Sequence, residues 1–104
     1  MVEPSKQLIE FIEDHLPREI SLPDLAALTG YSPDHFSRLF KRAFGVTPYQ
    51  YILARRVERA KSLLRDPNYS ILEVALACGF CTQAHLNTVF KARTGMTPGA
   101  YRRT

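Results

Sequence analysis

The chain has 104 residues, 45% of them apolar, with two cysteines and a net charge of +4. That suits one compact domain or two very small ones that lean on each other for a core. It excludes a disulfide framework, and the longest apolar run is far too short for a membrane-spanning helix. The opening MVEPSKQLIE has no signal-peptide pattern, so the expectation is a soluble, intracellular chain. The charge is uneven. Residues 1–34 carry two basic side chains against seven acidic ones, and residues 35–104 carry twelve against three. A basic body behind an acidic front predicts an anionic partner for the body.

Every segment reads as helix, because no stretch alternates apolar and polar residues for long. Leu8, Ile9, Ile12 and Leu16 recur at helical spacing until Pro17 ends the first helix. Residues 22–29 form a short helix with Leu25, Ala26 and Leu28 inward, closed by Gly30. Residues 33–44 follow, with Phe36, Leu39, Phe40, Ala43 and Phe44 on one face and Gly45 as a left-handed cap. Thr47 caps the next helix, with Pro48 at its first position, where a missing N–H costs nothing. That helix runs to about Arg65, and Asp66-Pro67-Asn68 is a turn. Residues 71–78 are a short helix closed by Gly79, and residues 82–94 a longer one with Leu86, Val89 and Phe90 inward. Gly95, Thr97 and Pro98 then repeat the cap-and-start signal before a last helical turn at 100–103.

The chain therefore says the same thing twice: GVTPYQY at residues 45–51 returns as GMTPGAY at 95–101. An offset of 49 pairs Ser21 with Ser70, Asp24 with Glu73, Ala26 with Ala75, Gly30 with Gly79 and Tyr31 with Phe80. An offset of 50 pairs Phe36 with Leu86, Phe40 with Phe90, Lys41 with Lys91, Pro48 with Pro98 and Tyr51 with Tyr101. The second copy holds one extra residue between Phe80 and Leu86. Each copy opens with Ser-x-x-Asp/Glu, a capping box in form, the first weakened by its shorter Asp. A short helix, a Gly-containing turn and a longer helix make a helix-turn-helix, and two copies are too few for a solenoid.

The outward residues of each second helix carry the functional reading. In the first unit these are Asp34, Ser37, Arg38, Lys41 and Arg42; in the second, Gln83, Ala84, Asn87, Thr88 and Lys91. Arg38 suits guanine, Gln83 and Asn87 suit adenine, and Asp34 can accept from cytosine. Asp34, Ser37, Arg38, Gln83, Asn87 and Thr88 are therefore the expected base readers of double-stranded DNA. Lys41, Arg42, Arg55, Lys91, Arg93 and Arg102 are the expected phosphate contacts, where charge matters more than direction. The middle helix carries Arg55, Arg56, Arg59, Lys61 and Arg65, which divide between the DNA backbone and pairing with Glu58, Asp66 or the acidic first helix.

Two rival chemistries are visible. Cys78-Gly-Phe-Cys81 is a C-x-x-C, with His85 four residues on. No strand precedes it and no fourth ligand is near, so neither a thioredoxin-like pair nor a zinc site is expected, and Cys78 reads as a small buried residue. No metal, cofactor or catalytic residue is expected: phosphate loop, nucleophile elbow and paired carboxylates are all missing. The alternative function is a protein-interaction or redox-sensing helical module with a degenerate reading surface.

Taken together, these residues resemble the DNA-binding domain of the AraC/XylS family of bacterial transcription regulators. The resemblance covers about residues 5–103. It is strongest from Ser70-Ile-Leu-Glu-Val-Ala through Cys78-Gly79-Phe80 to Phe90-Lys91, Gly95-Met-Thr-Pro98 and Tyr101-Arg102. In the first unit it rests on Leu25-Ala26, Ser32, Phe36-Ser-Arg-Leu-Phe-Lys41 and Gly45-Val-Thr-Pro48. It implies an all-α fold of seven helices, with residues 1–4 a linker, 5–47 and 67–104 two helix-turn-helix subdomains, and 48–66 a connecting helix. It also implies two reading helices in successive major grooves, about one 34 Å turn apart. Activation through RNA polymerase, a separate effector-binding or dimerisation domain, and a cytoplasmic, nucleoid-associated location follow from the same resemblance. This sequence departs from the family at Thr88, where Arg is frequent, and at Ala84, where Ser is. The first unit is accordingly expected to supply most of the direct readout.

Overall fold

The computed structural model describes residues 4–104. Among them are seven helices: α1 Pro4–His15, α2 Leu22–Thr29, α3 Pro33–Phe44, α4 Pro48–Leu64, α5 Ile71–Ala77, α6 Gln83–Thr94 and α7 Pro98–Arg102. Of the expected linker, residues 1–3 lie outside the described residues and Pro4 is the first residue of α1.

Local side-chain chemistry sets the helix starts. Ser21, Ser32, Ser70, Thr82 and Thr97 each accept from a backbone N–H three residues on, satisfying a donor that the helix cannot. At Ser70 the box closes: Glu73 N–H donates to the Ser70 hydroxyl at 3.0 Å, and the Glu73 carboxylate accepts from Ser70 N–H at 2.8 Å. Asp24, one methylene shorter, leaves Ser21 with the forward bond alone among the described residues. Thr47 and Gln50 close a second box, at 3.1 and 3.0 Å.

The two short helices end differently. At α2, Gly30 takes φ 78° and its N–H returns to Ala26 O at 3.1 Å. At α5, Gly79 takes φ 91°, its N–H reaches Leu76 O at 3.3 Å, and Phe80 N–H reaches Ala75 O at 2.9 Å. This doubled closure folds the next residue back onto the helix. Phe80 is accordingly 1% exposed, whereas its counterpart Tyr31 is 46% exposed. The extra residue of the second copy is in this turn: Tyr31 alone separates Gly30 from the cap Ser32, but Phe80 and Cys81 separate Gly79 from Thr82.

The chain divides into two compact units after Ile52, within α4. The first has a core of Leu8, Ile12, Leu16, Leu25, Ala26, Phe36, Phe40 and Ile52. The second buries Val57, Ala60, Leu64, Val74, Ala75, Cys78, Phe80, Leu86 and Phe90. The repeated phrase has the same packing role in each. Tyr51 sits edge-on to Phe40 with centroids 5.6 Å apart, and Tyr101 edge-on to Phe90 at 5.4 Å.

Two expected core residues are outside. Leu28 is 44% exposed, since it lies about 110° round α2 from the centre of the Leu25/Ala26 face. Ala43 is exposed because the last turn of α3 borders an open groove rather than packed core.

Candidate nucleic-acid interface

In the first unit, Phe36 and Phe40 anchor α3 to the core and leave its opposite side to solvent. That side carries Asp34, Arg38, Lys41 and Arg42, all exposed. Spacings of four, seven and eight residues put them on one ridge. Within it, Arg38 Nη1 donates to Asp34 Oδ2 at 2.7 Å. Ser37 is elsewhere: half-buried, it lines an apolar pocket of about 210 Å³ with Leu22, Pro48, Tyr49 and Ile52. Gly45, at φ 79°, ends α3 with its N–H on Lys41 O, so the helix stops after the basic residues are presented.

In the second unit, Leu86 and Phe90 anchor α6. Gln83, Thr88 and Lys91 are exposed, and Asn87, like Ser37, is half-buried. The positions equivalent to Asp34, Arg38 and Arg42 are Ala84, Thr88 and Ala92, also exposed. At these three positions the first ridge is charged and the second neutral and small, while Lys41 and Lys91 keep one basic residue common to both. His85 faces Phe80 edge-on at 5.2 Å.

The expected phosphate residues divide. Lys41, Arg42, Lys91 and Arg93 are exposed, and Arg55 is half-buried on α4. Arg55 and Arg93 both line one pocket of about 190 Å³. Arg102 is engaged within the fold: its Nε donates to Leu64 O at 2.8 Å and its Nη2 to Asp66 O at 3.3 Å. These carbonyls end α4 and begin the turn, so the guanidinium caps a helix C-terminus. Arg65 donates to the Tyr101 hydroxyl at 3.2 Å, and Lys61 pairs with Glu58 at 2.9 Å. Sequence reading missed Arg102's capping, which nothing local announces. The Thr47/Gln50 box and the Asp34/Arg38 pair were also missed, although a T-x-x-Q pattern and an acid four residues before an arginine signal them.

The cysteines separate. Cys78 is fully buried at the end of α5, and burial pushes its thiol up to about 11 against the opposing pull of Arg59 and Arg56. Cys81 is exposed in the turn. Among the described residues no three His, Cys, Asp or Glu side chains are placed to hold a metal ion, and no helix is long and apolar enough to cross a membrane.

Residues 25–104 match the model of a family described as a helix-turn-helix domain. The TetD protein of transposon Tn10 (Escherichia coli) is 40% identical over 98 residues, covering 94% of this chain and 71% of that protein. The right origin-binding protein of Escherichia coli K12 is 36% identical over 99 residues, covering 95% of this chain but 34% of that protein. The chain spans less than half the length of most of the curated relatives it matches. The DNA-binding domain of AdpA, solved in complex with a target DNA, has a TM-score of 0.90 at 33% identity, over 97% of this chain and 91% of that one. An AraC-type regulator from Chromobacterium violaceum has a TM-score of 0.87 at 30% identity, over 96% and 89%.

Proposed function

The chain belongs to the AraC-type helix-turn-helix family, the DNA-binding domain of transcription regulators, and we propose that it reads duplex DNA through α3 and α6, each laid in a major groove. One observation carries this: both units bury two large apolar residues of the second helix and leave the opposite, polar ridge uncovered. Arg38 contacts guanine, with Lys41 and Arg42 on the flanking phosphates. In the second unit Gln83 and Asn87 suit adenine. Ala84 and Thr88 present methyl groups where the first unit has Asp34 and Arg38, and methyls suit the thymine 5-methyl. Lys91, Arg93 and Arg55 supply further phosphate contacts. Arg102 is assigned none, because its guanidinium caps α4.

Two unlike readers make an asymmetric site, with its two blocks about one turn of DNA apart. Such binding serves bacterial transcription, as an activator that meets RNA polymerase. An effector-binding or dimerisation domain working with this one fits relatives more than twice its length.

Selection from a random duplex pool at low and moderate salt tests the reading, since nonspecific phosphate binding fades steeply between the two. Two enriched blocks one turn apart are expected. One block would leave a single reader, and no enrichment at either salt would refute sequence-specific binding.

A further inference from the structure

We infer that Asp34 reads no base itself but is a positioning residue that confines Arg38 to guanine. The inference rests on the DNA-reading role proposed above for α3. The Asp34 carboxylate and the Arg38 guanidinium are joined at 2.7 Å, with the side chains 87% and 68% exposed. A pair so exposed adds little to stability. Its effect falls instead on where Arg38 can go. An arginine has five N–H donors, and Asp34 occupies one, on Nη1. The others remain for the paired acceptors of a guanine edge.

What the pair removes is the alternative. A free arginine on this ridge would swing to the nearest phosphate of any sequence, because phosphates accept from many directions. Swinging away from Asp34 would leave a bare carboxylate facing the DNA backbone. Contact with DNA also excludes water, which strengthens the pair against that rearrangement. Asp34 thus lowers affinity for DNA in general and raises discrimination at one base pair. The second unit supplies an independent control: where Arg38 is replaced by Thr88, Asp34 is replaced by Ala84. The acid occurs where the arginine occurs.

The test uses the full 104-residue chain. Its probes are the duplex selected by the wild type, that duplex with the α3-block guanine changed, and a scrambled duplex, each titrated across a salt series. In Asp34→Ala, affinity for the scrambled duplex rises about three- to tenfold, and its salt dependence steepens by about 0.9, one phosphate's worth. Discrimination at the guanine falls about tenfold, the scale of one bidentate contact. Asp34→Glu, which keeps the charge, restores most of the discrimination, and in an Arg38→Ala background Asp34→Ala changes no base preference. A preference change that persists in the Arg38→Ala background would overturn the inference, making Asp34 a base reader. So would a uniform loss of affinity with preference and salt slope intact, which marks a merely structural role. Failure of the wild type to select any sequence refutes the DNA-reading role itself. A selective wild type with indifferent Asp34 variants refutes only the role of Asp34.

Discussion

Arg102→Met separates a structural arginine from a DNA-binding one. Methionine keeps much of the stem and removes the guanidinium, so Leu64 O and Asp66 O lose bonds of 2.8 and 3.3 Å. A hydrogen bond from a charged donor contributes about 1.5–3 kcal/mol when buried. Arg102 is half-buried, and water can reach carbonyls at the end of a helix, so the two bonds together are reckoned at about 2 kcal/mol rather than their full sum. Lost interaction with the α4 C-terminal dipole adds a few tenths of a kcal/mol. For a domain of this size about 2 kcal/mol lowers Tm by roughly 8 °C. Thermal unfolding followed by circular dichroism reads this directly, and titration of a target duplex across a salt series reads the rival role. The expected result is a clear fall in Tm with the salt slope unchanged, while Lys91→Ala gives the reverse: an unchanged Tm and a slope flatter by about one ion. An Arg102→Met variant with native Tm and a flattened slope would refute the capping argument and return Arg102 to the phosphates.

Three further outcomes are expected. Replacing each thymine of the selected site by uracil removes only the 5-methyl group and should weaken binding within the block read by α6; equal binding by every uracil duplex would deny Ala84 and Thr88 that contact. The Glu73 carboxyl ionises below its usual range because the backbone N–H and hydroxyl of Ser70 hold its charged form. Its cap is therefore fully present above the unfolded glutamate pKa of about 4.3 and fades as pH falls through the lower folded value. Wild type should exceed Glu73→Ala in Tm at neutral pH, with the gap closing on acidification; a gap constant with pH would count against the cap. Of the thiols, native protein at neutral pH should expose only Cys81 to a thiol reagent and unfolded protein both. Because Cys78 holds its proton up to about 11 when folded, stability should also decline between the unfolded cysteine pKa, about 8.5, and that value. Two fast-reacting native thiols would show that Cys78 is not sealed.

The repeat, the seven helices and most of their caps were legible in the sequence because they are decided within four residues of the chain. Ser70 finds the Glu73 N–H, Thr97 the Ala100 N–H, and Gly95 the Lys91 carbonyl whatever the rest of the molecule does. The exposed polar ridge of α3 was legible for the same reason: Phe36 and Phe40 fix one side of the helix, so Asp34, Arg38 and Arg42 must share the other. The same periodicity put Ser37 among the readers, yet it borders an apolar pocket beside α4, because helical phase gives a direction but not what is met there. Leu28 was read as inward with Leu25 and Ala26, but it lies off their face of α2 and is exposed.

What the sequence by itself determined is the order of the helices, where most of them start and stop to within a turn, and which face of each is apolar, since those follow from bonds and spacings of three and four residues. Only the tertiary structure decided the fates of Tyr31 and Phe80, equivalent in the repeat but exposed in one copy and buried in the other. It also decided that Arg102 closes a helix ending 38 positions earlier. Such contacts depend on which surfaces meet, and a carbonyl left open at a helix end takes whichever donor the fold brings to it.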